Sequence, residues 1–100
     1  MKQKAISIKT SELDFVSNTG GLTLAGMLRS ALDDAIGGGR SYPTGDGRRM
    51  KADISKTVVL LREEQHEFIQ RVGMNFSHFA SAVIQDRIEV EQAIAEMEDN

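Results

Sequence analysis

Isoleucine alternates with small and basic residues in Lys4-Ala5-Ile6-Ser7-Ile8-Lys9, which sets Ile6 and Ile8 on one face and Ala5, Ser7 and Lys9 on the other. Period-two alternation predicts a strand with one buried side. The period then lengthens. Ser11-Glu12-Leu13-Asp14 has the form of a capping box, with Ser11 placed to accept a backbone N–H and acids in the first turn. It opens a helix of about three turns that buries Leu13 and Val16 and ends at Gly21. Thr23 then caps a longer helix. Leu24, Met27, Leu28, Ala31, Leu32, Ala35 and Ile36 recur at helical spacing along it, and Leu22 is placed to staple onto Met27.

Residues 37–49 hold five glycines and the only proline, so this segment predicts a linker, drawn here as a flexible basic linker over residues 37–54. Beyond it the same order of roles returns. Moving the second stretch back by 52 positions sets Lys56 on Lys4, Val58 on Ile6, Leu60 on Ile8, Glu64 on Glu12 and Phe68 on Val16. The same shift sets Gly73 on Gly21, Met74 on Leu22, Asn75 on Thr23, Phe79 on Met27, Val83 on Ala31, Ile84 on Leu32 and Ile88 on Ile36. Repeats over residues 4–36 and 55–90 follow, with an acidic helical tail at 91–100. In the second copy Glu63 and Glu64 lead a helix bearing Phe68, Ile69 and Val72. Asn75 caps the next, which bears Phe76, Phe79, Ala80, Val83, Ile84 and Ile88. Thr57-Val58-Val59-Leu60-Leu61 is apolar without alternation. Its facing therefore rests on the repeat alone, which turns Val58 and Leu60 inward and Thr57, Val59 and Leu61 outward; a slip of one residue exchanges the faces.

A single strand with two short helices cannot bury such stripes and leaves two open edges. Two copies pairing their strands antiparallel, with four helices over one face of the ribbon, solve both problems. A linker of this length spans roughly 50 Å when extended, enough to join the copies within one chain. In this order of strand, short helix, glycine turn and capped longer helix, over residues 4–36 and 56–90, the sequence resembles the ribbon-helix-helix superfamily, which includes the Arc and methionine repressors. Its tandem form is similar to accessory DNA-binding proteins of conjugative DNA transfer. The expected fold is mainly α with one two-stranded antiparallel ribbon: a tandem ribbon-helix-helix pseudo-dimer forming a single domain over residues 1–100.

The resemblance implies that the outer ribbon face enters the major groove of double-stranded DNA, with Ala5, Ser7, Lys9, Thr57, Val59 and Leu61 as base-contacting residues. It also implies phosphate contacts at the starts of the longer helices, Thr23 and Asn75, with Ser77 and His78 near the second. Lys4 and Lys56, and Arg48 and Arg49 with Lys51 on the linker, are further phosphate candidates. A plainer alternative stays open for each. Val59 and Leu61 are buried and the ribbon is only a seam, Thr23 and Asn75 merely cap, and the linker cations are merely solvated.

Charge complicates the DNA reading. The chain carries a formal net charge of −3: zero over residues 1–36, +2 over 37–54 and −5 over 55–100. This is not the broad basic footprint usual in a nucleic-acid binder. There is no cysteine, no apolar run beyond Val58-Val59-Leu60-Leu61 and no signal-like apolar N-terminus, so the expectation is a cytoplasmic protein without a membrane span. Gly37-Gly38-Gly39 lacks the following Gly-Lys-Ser/Thr of a phosphate loop, and His66 and His78 lie twelve apart without a metal-binding pattern. No nucleophile–base pair emerges. No enzyme activity, cofactor, metal or small-molecule substrate is expected. The expected function is sequence-specific binding of double-stranded DNA on a non-palindromic site, as a repressor or a DNA-transfer accessory factor. The rival is a protein-binding module, antitoxin-like or adaptor, that uses the acidic C-terminal helix. Val90, Ile94 and Met97 either pack on the linker or meet a partner or neighbouring copy.

Overall fold

Two strands far apart in the chain, β1 (Lys2–Lys9) and β2 (Ile54–Leu61), pair antiparallel into a two-stranded sheet. The structure is a computed structural model that describes residues 1–19, 23–45 and 53–98. Helices α1 (Thr10–Asn18) and α2 (Leu24–Ile36) follow β1, and α3 (Glu63–Val72) and α4 (Phe76–Glu98) follow β2, so the order strand, helix, helix occurs twice. The chain is mostly helical, consistent with a ribbon-helix-helix arrangement. Gly21, Leu22, Arg48, Arg49, Lys51 and Asp99 lie outside the described residues. Among the described residues no helix is long and apolar enough to cross a membrane.

The helices cover one face of the sheet. Ile6 and Ile8 of β1 and Val59 and Leu61 of β2 enter the core, where they join Val16, Leu28, Leu32, Phe68, Ile69, Phe79 and Ile84. Packing crosses between the repeats: α4 lies against β1 and α1, while α2 lies against β2 and α3. The sheet edges are held the same way. Ser7 N–H donates to Ser77 Oγ of α4 at 3.0 Å, and Arg29 of α2 donates to the Leu60 carbonyl at 2.9 Å. An unpaired strand edge otherwise invites adventitious pairing.

The facing of β2 is the reverse of the sequence expectation. Val59 and Leu61 are buried, whereas Val58 and Leu60 are exposed. Thr57 opposes Ile6 in the ladder and therefore shares the helix-covered face. The cause is a one-residue difference between the repeats. Lys9 and Arg62 are the N-caps of α1 and α3. Setting one on the other matches Ile6 with Val59 and Ile8 with Leu61, a shift of 53 rather than 52. The 52 shift holds only for the longer helices, with Thr23 on Asn75, Leu28 on Ala80 and Leu32 on Ile84. The step from Lys9 to Thr23 is one residue longer than that from Arg62 to Asn75, so the extra residue falls between the first cap and the second.

The cap of α1 also differs from expectation. Ser11 is inside the helix and exposed. The Lys9 N–H instead donates to Glu12 Oε1 at 2.9 Å, and in α3 the Arg62 N–H donates to Gln65 Oε1 at 3.1 Å. Glu12 and Gln65 are both buried, and both reach across to the other repeat. Glu12 accepts from Ser81 Oγ and Gln85 Nε2 of α4, each at 2.9 Å. Gln65 Nε2 donates to the Arg29 carbonyl and to Asp33 Oδ1 of α2, each at 3.0 Å. Among the described residues no buried side-chain polar atom lacks a partner, so neither junction carries the cost of an orphaned group.

Gly73 ends α3 with φ +66°, the left-handed conformation that terminates helices and favours glycine. In α2 the Ile36 side chain, expected in the core stripe, is exposed, while Leu24 and Met27 are half-buried. The opening of the linker is fixed to the second repeat rather than free. Arg40 pairs with Asp86 and lies over the Phe79 ring, and Tyr42 meets Phe68 edge-on at 5.4 Å. Thr44 bridges to Met74, and the Asn75 N–H donates to the Pro43 carbonyl at 2.9 Å.

Candidate nucleic-acid interface

The face of the sheet turned away from the helices follows from the ladder. Cross-strand partners point to the same side, so the pairs Gln3–Leu60, Ala5–Val58, Ser7–Lys56 and Lys9–Ile54 share it. Every member is exposed or half-buried. Val58, Leu60 and Ile54 are the apolar members, at 52%, 45% and 41% exposure. The face carries two lysines and no carboxylate, in a chain whose formal net charge is −3.

Of the residues expected to contact bases, Ala5, Ser7 and Lys9 lie on this outer face. Thr57, Val59 and Leu61 do not. Val59 and Leu61 are core side chains, and their places outside are taken by Val58 and Leu60, with Ile54, Lys56 and Gln3 completing the surface. Lys4 and Lys56 are not equivalent. Lys4 opposes Val59 on the helix side and is half-buried, whereas Lys56 opposes Ser7 on the open side and is exposed. The shared pattern of a basic cap with an acid or amide three residues on, Lys9 with Glu12 and Arg62 with Gln65, was the signal that fixes β2 correctly.

Of the expected phosphate positions, Lys56 and Ser77 come together beside this face. Lys56, Ser7 and Ser77 line a shallow cavity of about 240 Å³ at the ribbon's rim, together with Ala5 and Ile6. Ser77 Oγ is already engaged as an acceptor by the Ser7 N–H. Thr23 is exposed and caps α2 through Gly26 N–H at 3.2 Å. Asn75 accepts from the His78 N–H at 3.1 Å and donates through Nδ2 to the Gly45 carbonyl at 3.1 Å, so linker residues sit against the start of α4. The two helix starts therefore differ among the described residues: that of α2 carries its own cap, and that of α4 is shared with the linker. Arg48 and Arg49 lie outside the described residues.

The last part of α4 carries Glu89, Glu91, Glu96 and Glu98, with Arg87 bound to Glu91 at 2.9 Å. Val90, Ile94 and Met97 are exposed along it, and the linker residues 46–52 on which one of the two alternatives would pack them lie outside the described residues. At the start of α3, Arg62 bridges Asp33 and Glu64. The Glu64 carboxyl is held below its ordinary value by its own backbone N–H and by the Arg62 guanidinium, and the Arg62 pKa is raised in turn, chiefly by Glu64. His66 Nε2 lies 3.0 Å from the Lys2 carbonyl, which ties α3 to the end of β1. Among the described residues no group of three His, Cys, Asp or Glu side chains is placed to hold a metal ion. In comparison with known proteins, the chain matches no family model, no curated protein and no solved structure.

Proposed function

We propose that the chain is a tandem ribbon-helix-helix pseudo-dimer that binds double-stranded DNA sequence-specifically, with the outer ribbon face in the major groove. The reading rests on that face: eight exposed or half-buried side chains, two lysines and no carboxylate among them, on the side of the sheet away from the helices. A two-stranded ribbon fits the major groove, where all four base pairs are distinguishable. The ladder supports the pseudo-dimer. Its Ala5–Val58 pair joins residues that the Lys9–Arg62 cap alignment makes equivalent, as a two-fold axis through the ribbon requires. The acidic C-terminal part of α4 is repelled by phosphate and points away from the duplex in this reading.

The role is that of a repressor or a DNA-transfer accessory factor in the cytoplasm, and its target is non-palindromic because β1 and β2 present different side chains. Selection from a randomised duplex pool, followed by titration at low and moderate salt, tests this. The expected result is one enriched asymmetric site with salt-sensitive affinity; enrichment of perfect palindromes alone contradicts it. Lys9→Ala weakens the selected site more than random DNA.

The exposed Val90, Ile94 and Met97 favour a second reading, a protein-binding module whose acidic helix holds a basic partner. Partner capture without salt-sensitive DNA binding in a gel shift supports it over the first.

A further inference from the structure

The outer ribbon face is polarised along its length. At one end and the centre stand Leu60, Val58 and Ala5, with Gln3 the single polar side chain. At the other stand Ser7, Lys56 and Lys9, with Ile54 at the margin. Val58 and Leu60 are large aliphatic side chains left exposed on this face. They alternate along β2 with Val59 and Leu61, which are buried in the core. Exposed apolar clusters rimmed by polar groups mark contact surfaces.

We propose that this polarity is a reading code: the aliphatic end recognises thymine methyl groups and the lysine end recognises guanine. This rests on the DNA reading above. Aliphatic side chains cannot hydrogen-bond, and the thymine C5 methyl is the apolar group that the four bases present in the major groove. A lysine ammonium offers only donors, which suit guanine O6 and N7. Successive outer pairs along a strand lie ~6.7 Å apart, close to two base-pair rises of ~3.4 Å each. The four pairs thus cover about six base pairs, long enough for the two ends to face different bases. Charge favours DNA over a protein occupant. Lys9 and Lys56 have no carboxylate on this face to answer them, and burying them against an apolar protein surface would strand both charges.

The test uses the full chain and a duplex selected from a randomised pool. Thymines are replaced by deoxyuridine, which lacks only the methyl, and guanines by 7-deazaguanine, which lacks the N7 acceptor, one end of the site at a time. Each contacted methyl removed weakens binding about four-fold, the loss expected for one buried methyl group. The loss is confined to one end, and 7-deazaguanine acts at the other. Val58→Gln and Leu60→Gln, at exposed positions that leave the core intact, abolish the deoxyuridine effect while preserving affinity for random duplex. If the selected site binds tightly and deoxyuridine changes nothing, or acts equally at both ends, the code is wrong and the DNA reading stands. If no duplex is enriched, both fall. If Val58→Gln and Leu60→Gln instead split an oligomer and leave DNA binding unchanged, the face belongs to a second copy and the code is again overturned.

Discussion

The two repeats meet each other at equivalent points with opposite chemistry. In the first, the residue three beyond the cap is a carboxylate, Glu12, which accepts from Ser81 and Gln85. In the second it is an amide, Gln65, which donates to the Arg29 carbonyl and to Asp33. The receiving positions also correspond, since the longer-helix alignment sets Arg29 on Ser81 and Asp33 on Gln85. A geometry that would allow two identical junctions has instead been filled with an acceptor facing donors and a donor facing acceptors. Each half is thereby fitted to an unlike half, because a carboxylate at position 12 meeting an aspartate at position 33 would set acid against acid. Divergence of the repeats is therefore not confined to the surface.

The largest test of this asymmetry lies in the core. Phe79 is almost fully buried, whereas its counterpart Met27 is half-buried. Phe79→Ala is expected to cost about 3–5 kcal/mol and Met27→Ala about 1–2 kcal/mol in denaturant unfolding; equal losses would mean that the two helices share the core evenly. Next come the junctions. Gln65→Glu places a carboxylate against Asp33 and the Arg29 carbonyl and is expected to cost about 2–3 kcal/mol. Glu12→Gln keeps the Lys9, Ser81 and Gln85 donors and costs about 1 kcal/mol. Adding Asp33→Asn to Gln65→Glu recovers part of the loss, and a strictly additive double variant would show that these groups do not interact.

A smaller difference is expected at the helix starts. Asn75→Ala removes a cap and a tie to the linker, about 1–2 kcal/mol, while Thr23→Ala removes a cap alone, about 0.5–1 kcal/mol. Thermal unfolding of both variants distinguishes them. The smallest effect is electrostatic. The Glu64 carboxyl titrates below its ordinary 4.5 in the folded protein. Its contribution to stability is therefore complete above that value and fades as pH falls through the depressed folded pKa. Unfolding curves of Glu64→Gln and the parent chain should differ most near neutral pH and converge in acid. A constant gap would assign the effect to packing.

Much of this arrangement was legible in the sequence, and its limits have a physical cause. Ile6 and Ile8 alternate with polar neighbours, so β1 declared its own facing. The longer helices declared theirs through caps and stripes, with Thr23 and Asn75 in register. β2 could not do so, because Val58, Val59, Leu60 and Leu61 are all aliphatic and satisfy either facing. The one-residue difference between the spacings of the two caps shifts the repeat read from the longer helices, and with it the expected facing of Thr57, Val59 and Leu61. Ser11 misled for a related reason: a hydroxyl beside an acid mimics a cap, while the polar partner that settles the helix start is the Glu12 carboxylate, engaged across the repeat boundary. Contacts of that kind depend on the other half of the molecule and leave no local pattern.

β1 and β2 belong to one polypeptide, joined through a connection whose opening is strapped to α4. A ribbon assembled from two separate chains falls apart on dilution; here the mating partner is always present, at an effective concentration in the millimolar range for a short tether. A complete ribbon would thus persist at any dilution, and under the DNA reading proposed above occupancy of a target would rise with the first power of protein concentration instead of the second.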